Sequence, residues 1–423
     1  MNVLLLGSGG REHALARTLA GSPGINNFYA SPGNPGIFHS AKRADIDSNN
    51  FYEVATFCKE QLIDLVVVGP ELPLADGIVD FLAACGIPAF GPTKQAAQLE
   101  SSKKFAKDFM QCYSIPTAKY NSFEATQVKD AHDYVEQTGS PIVIKADGLA
   151  AGKGVIVALN LEEAHLAINE IFGGMFGKSG ERIVIEEFLE GEEASILAIT
   201  DGKDFITLAS AQDHKRIFDG DEGKNTGGMG AYSPAPIVTQ QLLARIEKEI
   251  IAPTIQGMSM DGMPFVGCLY AGLMICKDGP KVIEFNVRFG DPEIQAVLAV
   301  FRGDFAGLLY SAAIGKLDKS KISNIAEGFA CCVVLASKGY PDSYAKGFPI
   351  EGISNAESGG AIVFQAGTAM KENILITSGG RVLGVTGIGN SLKAAIDSAY
   401  KAVDSIHFEN SYYRKDIGTK GLK

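Results

Sequence analysis

The sequence predicts a multidomain chain that mixes α/β and α+β architecture: a doubly wound N-terminal domain over residues 1–101, a glycine-rich central domain over 102–322 and a small mixed β/α C-terminal domain over 323–423. Three observations carry this reading. A chain of 423 residues exceeds what one ordinary hydrophobic core accommodates and divides into roughly three lobes. Residues 1–101 alternate short apolar runs with helical segments, the pattern of a parallel sheet with helical crossovers. Beyond residue 323, several strand-like runs precede one capped helix, as in an α+β domain.

Composition narrows the class. Hydrophobic residues at 46% and charged residues at 21% describe a globular chain rather than a disordered one. No apolar run is long enough to span a bilayer, and Met1 leads straight into a strand rather than a signal segment, so a cytoplasmic protein without a membrane partner is expected. With 38 Lys plus Arg against 49 Asp plus Glu, the net charge of -11 disfavours nucleic acid as a partner. The seven cysteines form no CxxC pair and read as reduced, buried residues that serve neither zinc nor disulfides. The 49 glycines cluster in a few loops, which points to close approach of backbone to ligands.

Residues 3–6 are wholly apolar and end in Gly7-Ser8-Gly9-Gly10-Arg11-Glu12-His13, followed by a helical pattern over 14–19. A buried strand, a glycine turn and a helix start predict an anion site, because free N–H groups point outward there. The turn matches the dinucleotide fingerprint at Gly7 and Gly9, whereas Glu12 holds the third glycine position. An NAD-dependent oxidoreductase therefore stays open as an alternative. Strands at 28–30, 65–69 and 89–90 alternate with helices at 51–61 and 74–85, and two strand ends carry Pro32-Gly33-Asn34 and Gly69-Pro70-Glu71. In doubly wound sheets ligands bind at the carboxyl ends of strands, so these loops are expected to line one crevice for a small phosphorylated ligand.

After a helix at 93–100, Ser101-Ser102 reads as the cap of a helix over 103–112, which sets the first boundary. A strand at Lys119-Tyr120, a helix over 124–138 and a strand over 142–146 lead to Lys145-Ala146-Asp147-Gly148-Leu149-Ala150-Ala151-Gly152-Lys153-Gly154-Val155. Glycines that bare backbone N–H groups, together with Lys145 and Lys153, suit a triphosphate. This is no Walker loop. Three residues separate Gly148 from Gly152, Gly154 stands where Ser or Thr belongs, and a strand over 155–158 follows where a helix is required. A helix over 161–172 and a strand over 183–187 precede Glu186-Glu187-Phe188-Leu189, whose backbone suits adenine, and Glu193, whose carboxylate suits ribose hydroxyls.

Strands over 194–200 and 205–209 are followed by Gln212-Asp213-His214-Lys215-Arg216, which opens an apolar-poor, mobile loop closing on Asn225-Thr226-Gly227-Gly228-Met229-Gly230. Here Asp213 is placed to meet an ammonium and Lys215 or Arg216 an anion, with His214 a helper in a hydrogen-bond network. An amphipathic helix over 239–254 precedes an alternating run over 266–276 and then Glu284-Phe285-Asn286-Val287-Arg288-Phe289-Gly290-Asp291-Pro292-Glu293. Period-two alternation sends Glu284, Asn286 and Arg288 to one face and Phe285 and Val287 to the other. The carboxylate and amide oxygens suit a hard cation such as Mg²⁺, and the guanidinium suits an anion. Helices at 293–301 and 304–314, a polar linker over 318–327, strands at 329–336, 361–364, 374–377 and 381–387, and a Ser391-capped helix complete the chain before a basic, frayed tail over 414–423.

Taken together, the motifs Gly9-Gly10-Arg11-Glu12-His13-Ala14, Val68-Gly69-Pro70-Glu71, the 145–154 loop, Gln212-Asp213-His214-Lys215-Arg216, the 225–230 turn and Arg288-Phe289-Gly290-Asp291-Pro292-Glu293 resemble the ATP-grasp superfamily. Within it, the resemblance to the glycinamide ribonucleotide synthetase family runs nearly the full chain. It implies an ATP-grasp core with a mobile lid over about 121–189 and an ATP-dependent ligase that joins glycine to 5-phosphoribosylamine through a glycyl phosphate. On that resemblance Lys103, Lys145, Gly152, Lys153 and Gly154 hold the ATP phosphates, and Glu186, Glu187, Phe188, Leu189 and Glu193 hold adenosine. Glu284 and Asn286 carry Mg²⁺ (or Mn²⁺). Arg288 holds the glycine carboxylate, Asp213 its ammonium, Gly9, Gly10, Arg11, Glu12, Asn34, Glu71 and Lys215 hold phosphoribosylamine, and Gly290 and Asp291 also belong to the substrate-binding residues. The sequence departs from many ATP-grasp relatives around Gly272, where they carry a further metal carboxylate, and from the family's pattern around 221–224, where a proline is absent and a floppier loop is expected. A non-catalytic ATP-binding protein on the same fold is the second alternative.

Overall fold

A computed structural model of the chain describes residues 1–149 and 154–422. Asn2–Gly7 lies at the centre of a parallel five-stranded sheet, with Asn27–Pro32 and Lys42–Arg43 on one side and Leu65–Val68 and Ala89–Phe90 on the other. Leu4, Leu5, Leu6, Val66 and Val67 are buried on both faces, which is why these runs are continuously apolar. The order of strands reverses beside Asn2–Gly7, so a crevice opens at its carboxyl end. The helix expected over 74–85 is two helices, Glu71–Asp76 and Ile78–Ala84, because Gly77 adopts φ 97° and ends the first turn of chain.

Three antiparallel sheets follow. One orders Tyr120–Glu124, Arg182–Glu187, Ile142–Ala146 and Val155–Ala158, and helices Val128–Thr138 and Leu161–Glu170 give it a core of its own around Phe123, Ile144, Ile168 and Ile183. The second orders Phe205–Thr207, Glu192–Asp201, Val266–Cys276 and Gly279–Asn286. The third orders Gln212–Asp213, Gly230–Ser233, Phe329–Ser337, Arg381–Gly389 and Ile362–Gln365, so it takes two strands from the central stretch and is not confined to residues 323–423.

Helix Glu293–Val300 is buried along its whole length and packs among the first domain, the second antiparallel sheet and the third. Its Ile294 and Val297 share one core with Val3 and Leu15 of the first domain, Leu197 and Tyr270 of the central sheet, and Ala330 and Phe364 of the last. Among the described residues no helix is long and apolar enough to cross a membrane.

Four local expectations are corrected. The stretch after Gln212 is no structureless loop: Arg216–Phe218 pairs with Glu222–Asn225 in a hairpin whose flanks enter the third sheet. The tail does not fray. Arg414 has no exposed surface, donates to Asp221 Oδ1 at 2.9 Å and Arg216 O at 3.0 Å, and grips Asp416 through Nε and Nη2, while Ile417 is fully buried. Arg414 reads as solvated because, Asp416 apart, the groups that meet it, Asp221 and the Arg216 carbonyl, lie some two hundred positions away in the hairpin. The linker over 318–327 contributes Ile322–Asn324, paired with Arg302–Gly303. Cys112 is exposed, whereas Cys58, Cys268, Cys331 and Cys332 are buried as expected.

Candidate active site

Strand Gly279–Asn286 builds the centre of the site by its alternation. Phe285 and Val287 turn into the core at 2% exposure, and Glu284, Asn286 and Arg288 face one cavity of about 1590 Å³. A bulge in register opposite Gly272 and Leu273 brings Glu284 beside Gly272, where an added Cβ would lie 3.3 Å from Glu284 Cγ. The missing acid at Gly272 therefore has a steric counterpart: the Glu284 stem already crowds that point of the wall.

Facing this strand is a buried charge cluster. Helix Lys103–Cys112 is capped by Ser102 Oγ, which accepts from Phe105 N at 3.2 Å, and it presents Lys103 and Lys107 one turn apart. Glu186 bridges Lys107 and Lys145, each at 2.9 Å, and Lys145 also donates to Ile283 O at 3.1 Å. Lys103 donates to Gly148 O at 2.9 Å, which ties it to the start of the glycine-rich loop. Lys107 was not singled out from sequence, although its spacing of four from Lys103 marks the same helix face. Burial pushes the Lys107 ammonium down to about 8 and also lowers Lys103. Gly154, Glu187, Phe188 and Leu189 line the same cavity, whereas Gly152 and Lys153 lie outside the described residues.

Glu193, Asp213 and Lys215 complete one wall. Lys215 Nζ stands 2.6 Å from Glu193 Oε2, so two residues read separately from sequence, one for ribose and one for the second substrate, are ion-paired partners. Burial, reinforced by Glu293, Glu193 and Glu284, raises Asp213 to about 7 against the pull of Lys215. Lys215 is raised well above the usual ammonium range despite burial, because Glu193 and Asp213 flank it. Glu284 is held below the usual carboxylate range: burial opposes this, and Lys215, Lys145, Lys103 and Arg288 outweigh it. The His214 imidazole, at 1% exposure, accepts at Nε2 from Gly418 N at 3.4 Å.

Arg288 is clamped. Its Nε lies 3.4 Å from Glu71 and its Nη2 3.2 Å from Glu100, a carboxylate that sequence reading passed over and that also accepts from Val287 N at 2.7 Å. Arg11 joins the group through Glu12 at 2.6 Å, Glu71 at 3.9 Å and Phe289 O at 3.2 Å. Burial raises the Glu100 carboxyl, while Arg288 and Arg11 hold Glu71 low although burial opposes them.

Gly9, Gly10, Glu12, Asn34 and Gly290 do not line the cavity. The glycine turn expected to offer open N–H groups is filled from within: Gly9 N donates to Glu12 Oε2 at 2.6 Å, and a Cβ on Gly69 would lie 2.2 Å from Glu12 Oε1. The carboxylate at the third glycine position thus caps its own helix and sits where a dinucleotide pyrophosphate would rest, which removes the support for an NAD site. Asn34 is saturated by Ser8 O, Gln365 O and Ile37 N. Asp291 does line the cavity, paired at 2.9 Å with Arg381, which arrives from the last sheet together with Tyr340 and could not be linked to this site by any local signal.

The chain is similar to known proteins over its length. Family models for phosphoribosylglycinamide synthetase match in chain order: its N domain over residues 1–100, its ATP-grasp (A) domain over 101–294 and its C domain over 330–420. The chain belongs to the phosphoribosylglycinamide synthetase family. It is 52% identical over 422 residues to the phosphoribosylamine–glycine ligase of Rhizobium meliloti (strain 1021), covering 100% of this chain and 99% of that protein. It is 50% identical to the trifunctional purine biosynthetic protein adenosine-3 of Gallus gallus, covering 99% of this chain and 42% of that longer protein. The crystal structure of the Thermotoga maritima phosphoribosylamine–glycine ligase superposes with a TM-score of 0.82 at 32% identity, over 98% of this chain and 100% of that one. A biotin carboxylase from Campylobacter jejuni, at 14% identity, TM-score 0.73, 97% of this chain and 92% of that one, shares the fold alone. The phosphoribosylglycinamide synthetase architecture, three domains around an ATP-grasp core with a parallel sheet at the amino end, is the one described above.

Proposed function

We propose that the chain is a cytoplasmic phosphoribosylamine–glycine ligase, which uses ATP to join glycine to 5-phosphoribosylamine in de novo purine biosynthesis. Full-length identity of 52% to a ligase of that name supports the activity, and the observation that carries the site is the single cavity in which Glu284, Asn286 and Arg288 face Lys103 and Lys145. The reaction balances in two steps. The γ-phosphoryl group of ATP passes to a glycine carboxylate oxygen, and ADP leaves. The amine of phosphoribosylamine then attacks the acyl carbon, its proton is lost, and phosphate departs to leave the amide of glycinamide ribonucleotide.

Lys103 and Lys145 are placed to hold the nucleotide phosphates, with Gly154 and residues 186–189 beside them for adenosine and Glu193 toward ribose. Lys153 and Gly152 belong to the same loop by sequence. Glu284, anionic at neutral pH, and the Asn286 amide oxygen fit a hard divalent cation, Mg²⁺ or Mn²⁺, which supplies charge neutralisation at the phosphates. Arg288 takes the glycine carboxylate and then the acyl phosphate, and its clamps Glu71 and Glu100 fix the guanidinium plane beforehand. Asp213 receives the glycine ammonium, and Arg11, Glu71, Lys215 and Asp291 are placed to face phosphoribosylamine. The residues 9–12 turn and Asn34 act behind that wall, by holding Arg11 and the strand ends in place. No side chain is needed as a covalent nucleophile; the work is orientation and exclusion of water from a hydrolysable intermediate.

The test is ADP release by the full chain with ATP, glycine and freshly generated phosphoribosylamine, each omitted in turn. ADP formation must depend on glycine; release that ignores glycine removes the assignment. Arg288→Ala is expected to keep ATP affinity and to lose turnover by a hundredfold or more, and near-full ligase activity would misplace glycine.

A further inference from the structure

Away from the cavity, two histidines meet nitrogen to nitrogen. His132 stands on helix Val128–Thr138 and His165 on helix Leu161–Glu170, and their Nδ1 atoms lie 2.6 Å apart. The other nitrogen of each ring faces an oxygen: His165 Nε2 is 2.8 Å from Glu136 Oε1, and His132 Nε2 is 3.2 Å from Asn169 Oδ1. His132 with Glu136, and His165 with Asn169, are spaced four apart, so each helix presents one ring and one oxygen acceptor on successive turns.

Hydrogen accounting decides what the pair holds. A neutral imidazole carries one ring hydrogen, and a carboxylate or amide oxygen only accepts, so both hydrogens are drawn to Nε2 and both Nδ1 lone pairs point at one another. At 2.6 Å two such lone pairs repel unless a cation lies between them. A proton is one such cation and a metal ion is another. Histidine ligands are prepared in this way, because the nitrogen away from the metal donates to an oxygen that fixes the tautomer and turns the ring. With Zn–N bonds of about 2.0–2.1 Å, tetrahedral ligation sets two nitrogens roughly 3.3 Å apart, so the rings need part by only about 0.7 Å. Imidazole suits Zn²⁺, Ni²⁺ and Cu²⁺, whereas Mg²⁺ and Ca²⁺ take oxygen. Among the described residues no third His, Cys, Asp or Glu joins the pair as a ligand, so water completes the shell, and the 30% exposure of the His165 side chain admits it.

We propose that His132 and His165 form a two-imidazole site for a transition-metal ion such as Zn²⁺, Ni²⁺ or Cu²⁺, that Glu136 and Asn169 hold the rings for it, and that the ion clamps the two helices together. Strand Ile142–Ala146 separates this site from the cavity. Its Ile142 and Ile144 pack with Ala131, Val135, Ala164 and Ile168 beneath the helices, whereas Val143 and Lys145 line the cavity on the opposite face. The ion displaces the shared proton and stiffens this small domain from outside, without touching the nucleotide face or Glu284.

The experiment titrates Zn²⁺ into the full chain without nucleotide and reads the heat of binding. Zn²⁺ is expected to bind, and an equal concentration of Mg²⁺ is expected not to displace it. His132→Gln and His165→Gln, which keep polar side chains on both helices, are each expected to weaken Zn²⁺ at least tenfold. Glu136→Gln, which removes only the outer acceptor's charge, is expected to weaken it roughly tenfold or less. With Cu²⁺ as the probe, electron paramagnetic resonance is expected to show two nitrogen ligands in the unaltered chain and one in either histidine variant. Saturating Zn²⁺ is expected to raise the thermal midpoint and to slow amide exchange in both helices, in the unaltered chain alone. Without added metal, both histidine variants are expected to keep ligase kcat/KM within twofold. Three outcomes overturn the proposal. Equal Zn²⁺ affinity in the unaltered chain and both histidine variants removes the pair as ligands; loss of Zn²⁺ in Glu284→Ala instead places the ion in the cavity; and no Zn²⁺ binding at all leaves a proton as the sole bridge. If either histidine variant does not fold, the Cu²⁺ spectrum of the unaltered chain decides, and fewer than two nitrogen ligands there overturns the proposal.

Discussion

Arg414 Nη1 donates to Asp221 Oδ1 at 2.9 Å, joining residues 193 positions apart in sequence, and the arginine is wholly buried. Asp221 stands at φ 58° in the hairpin that follows Lys215, and Lys420 pairs with its second oxygen at 2.5 Å. The tail therefore does the work expected of a proline in that hairpin: it fixes the turn from outside rather than by restricting φ. Removing one partner of a fully buried ion pair costs about 3–5 kcal/mol, and because Asp221 and Asp416, the charges left behind here, stay partly in water, the expected cost lies below that range. Arg414→Met is expected to lower the thermal midpoint by several degrees and to reduce ligase activity, read by calorimetry and ADP release. Asp221→Asn, partly exposed, is expected to destabilise less. Equal stability of Arg414→Met and the unaltered chain would show that the tail does not hold the hairpin.

Acid is expected to destabilise the fold through His214. Burial, with Lys420 and Arg414 nearby, lowers its imidazole to about 4 from an ordinary 6.5. A depressed histidine favours the neutral form in the native state, so the unfolded chain binds the extra proton between these two values. Stability is then full above about 6.5 and falls as pH drops toward 4, by up to roughly 3 kcal/mol at 1.36 kcal/mol per unit. Urea midpoints measured from pH 7 to pH 4 are expected to fall, with a shallower slope in His214→Gln; identical slopes would remove this histidine from the acid response.

Metal dependence separates Glu284 from its neighbours. Glu284→Ala is expected to raise the Mg²⁺ concentration for half-maximal activity at least tenfold, and Asn286→Ala to raise it less, because a carboxylate contributes charge as well as an oxygen. An unchanged Mg²⁺ curve for Glu284→Ala would take this residue out of the metal site.

The two lysines on Glu186 should differ. Both lie 2.9 Å from its carboxylate, but Lys145 also belongs to the strand that enters the glycine-rich loop. Lys145→Met is expected to raise the KM for ATP by tenfold or more. Lys107→Met leaves the Lys145–Glu186 pair standing and is expected to raise it less than threefold, with a larger loss in thermal midpoint. A larger ATP effect from Lys107 than from Lys145 would reverse their assignment.

Period and punctuation made much of this protein legible in one dimension. The continuous apolar runs of the parallel sheet, the caps at Ser102 and Ser391, and the alternation that sets Glu284, Asn286 and Arg288 on one face all depend on residues within a few positions of each other. The glycine-rich loop without a Walker pattern is local in the same sense. Tertiary structure alone decided what closes the site. Glu12 was read as part of an open anion turn, yet its carboxylate fills that turn, because Gly69 from another strand leaves the space. Glu100 and Arg381 carry no local mark of their places in the cavity wall, and reach it only when distant elements pack. The tail shows the reason most plainly: the charge of Arg414 looks solvated in sequence and is buried in the fold, since the energy of a charge is set by the groups around it in space and not by its neighbours along the chain.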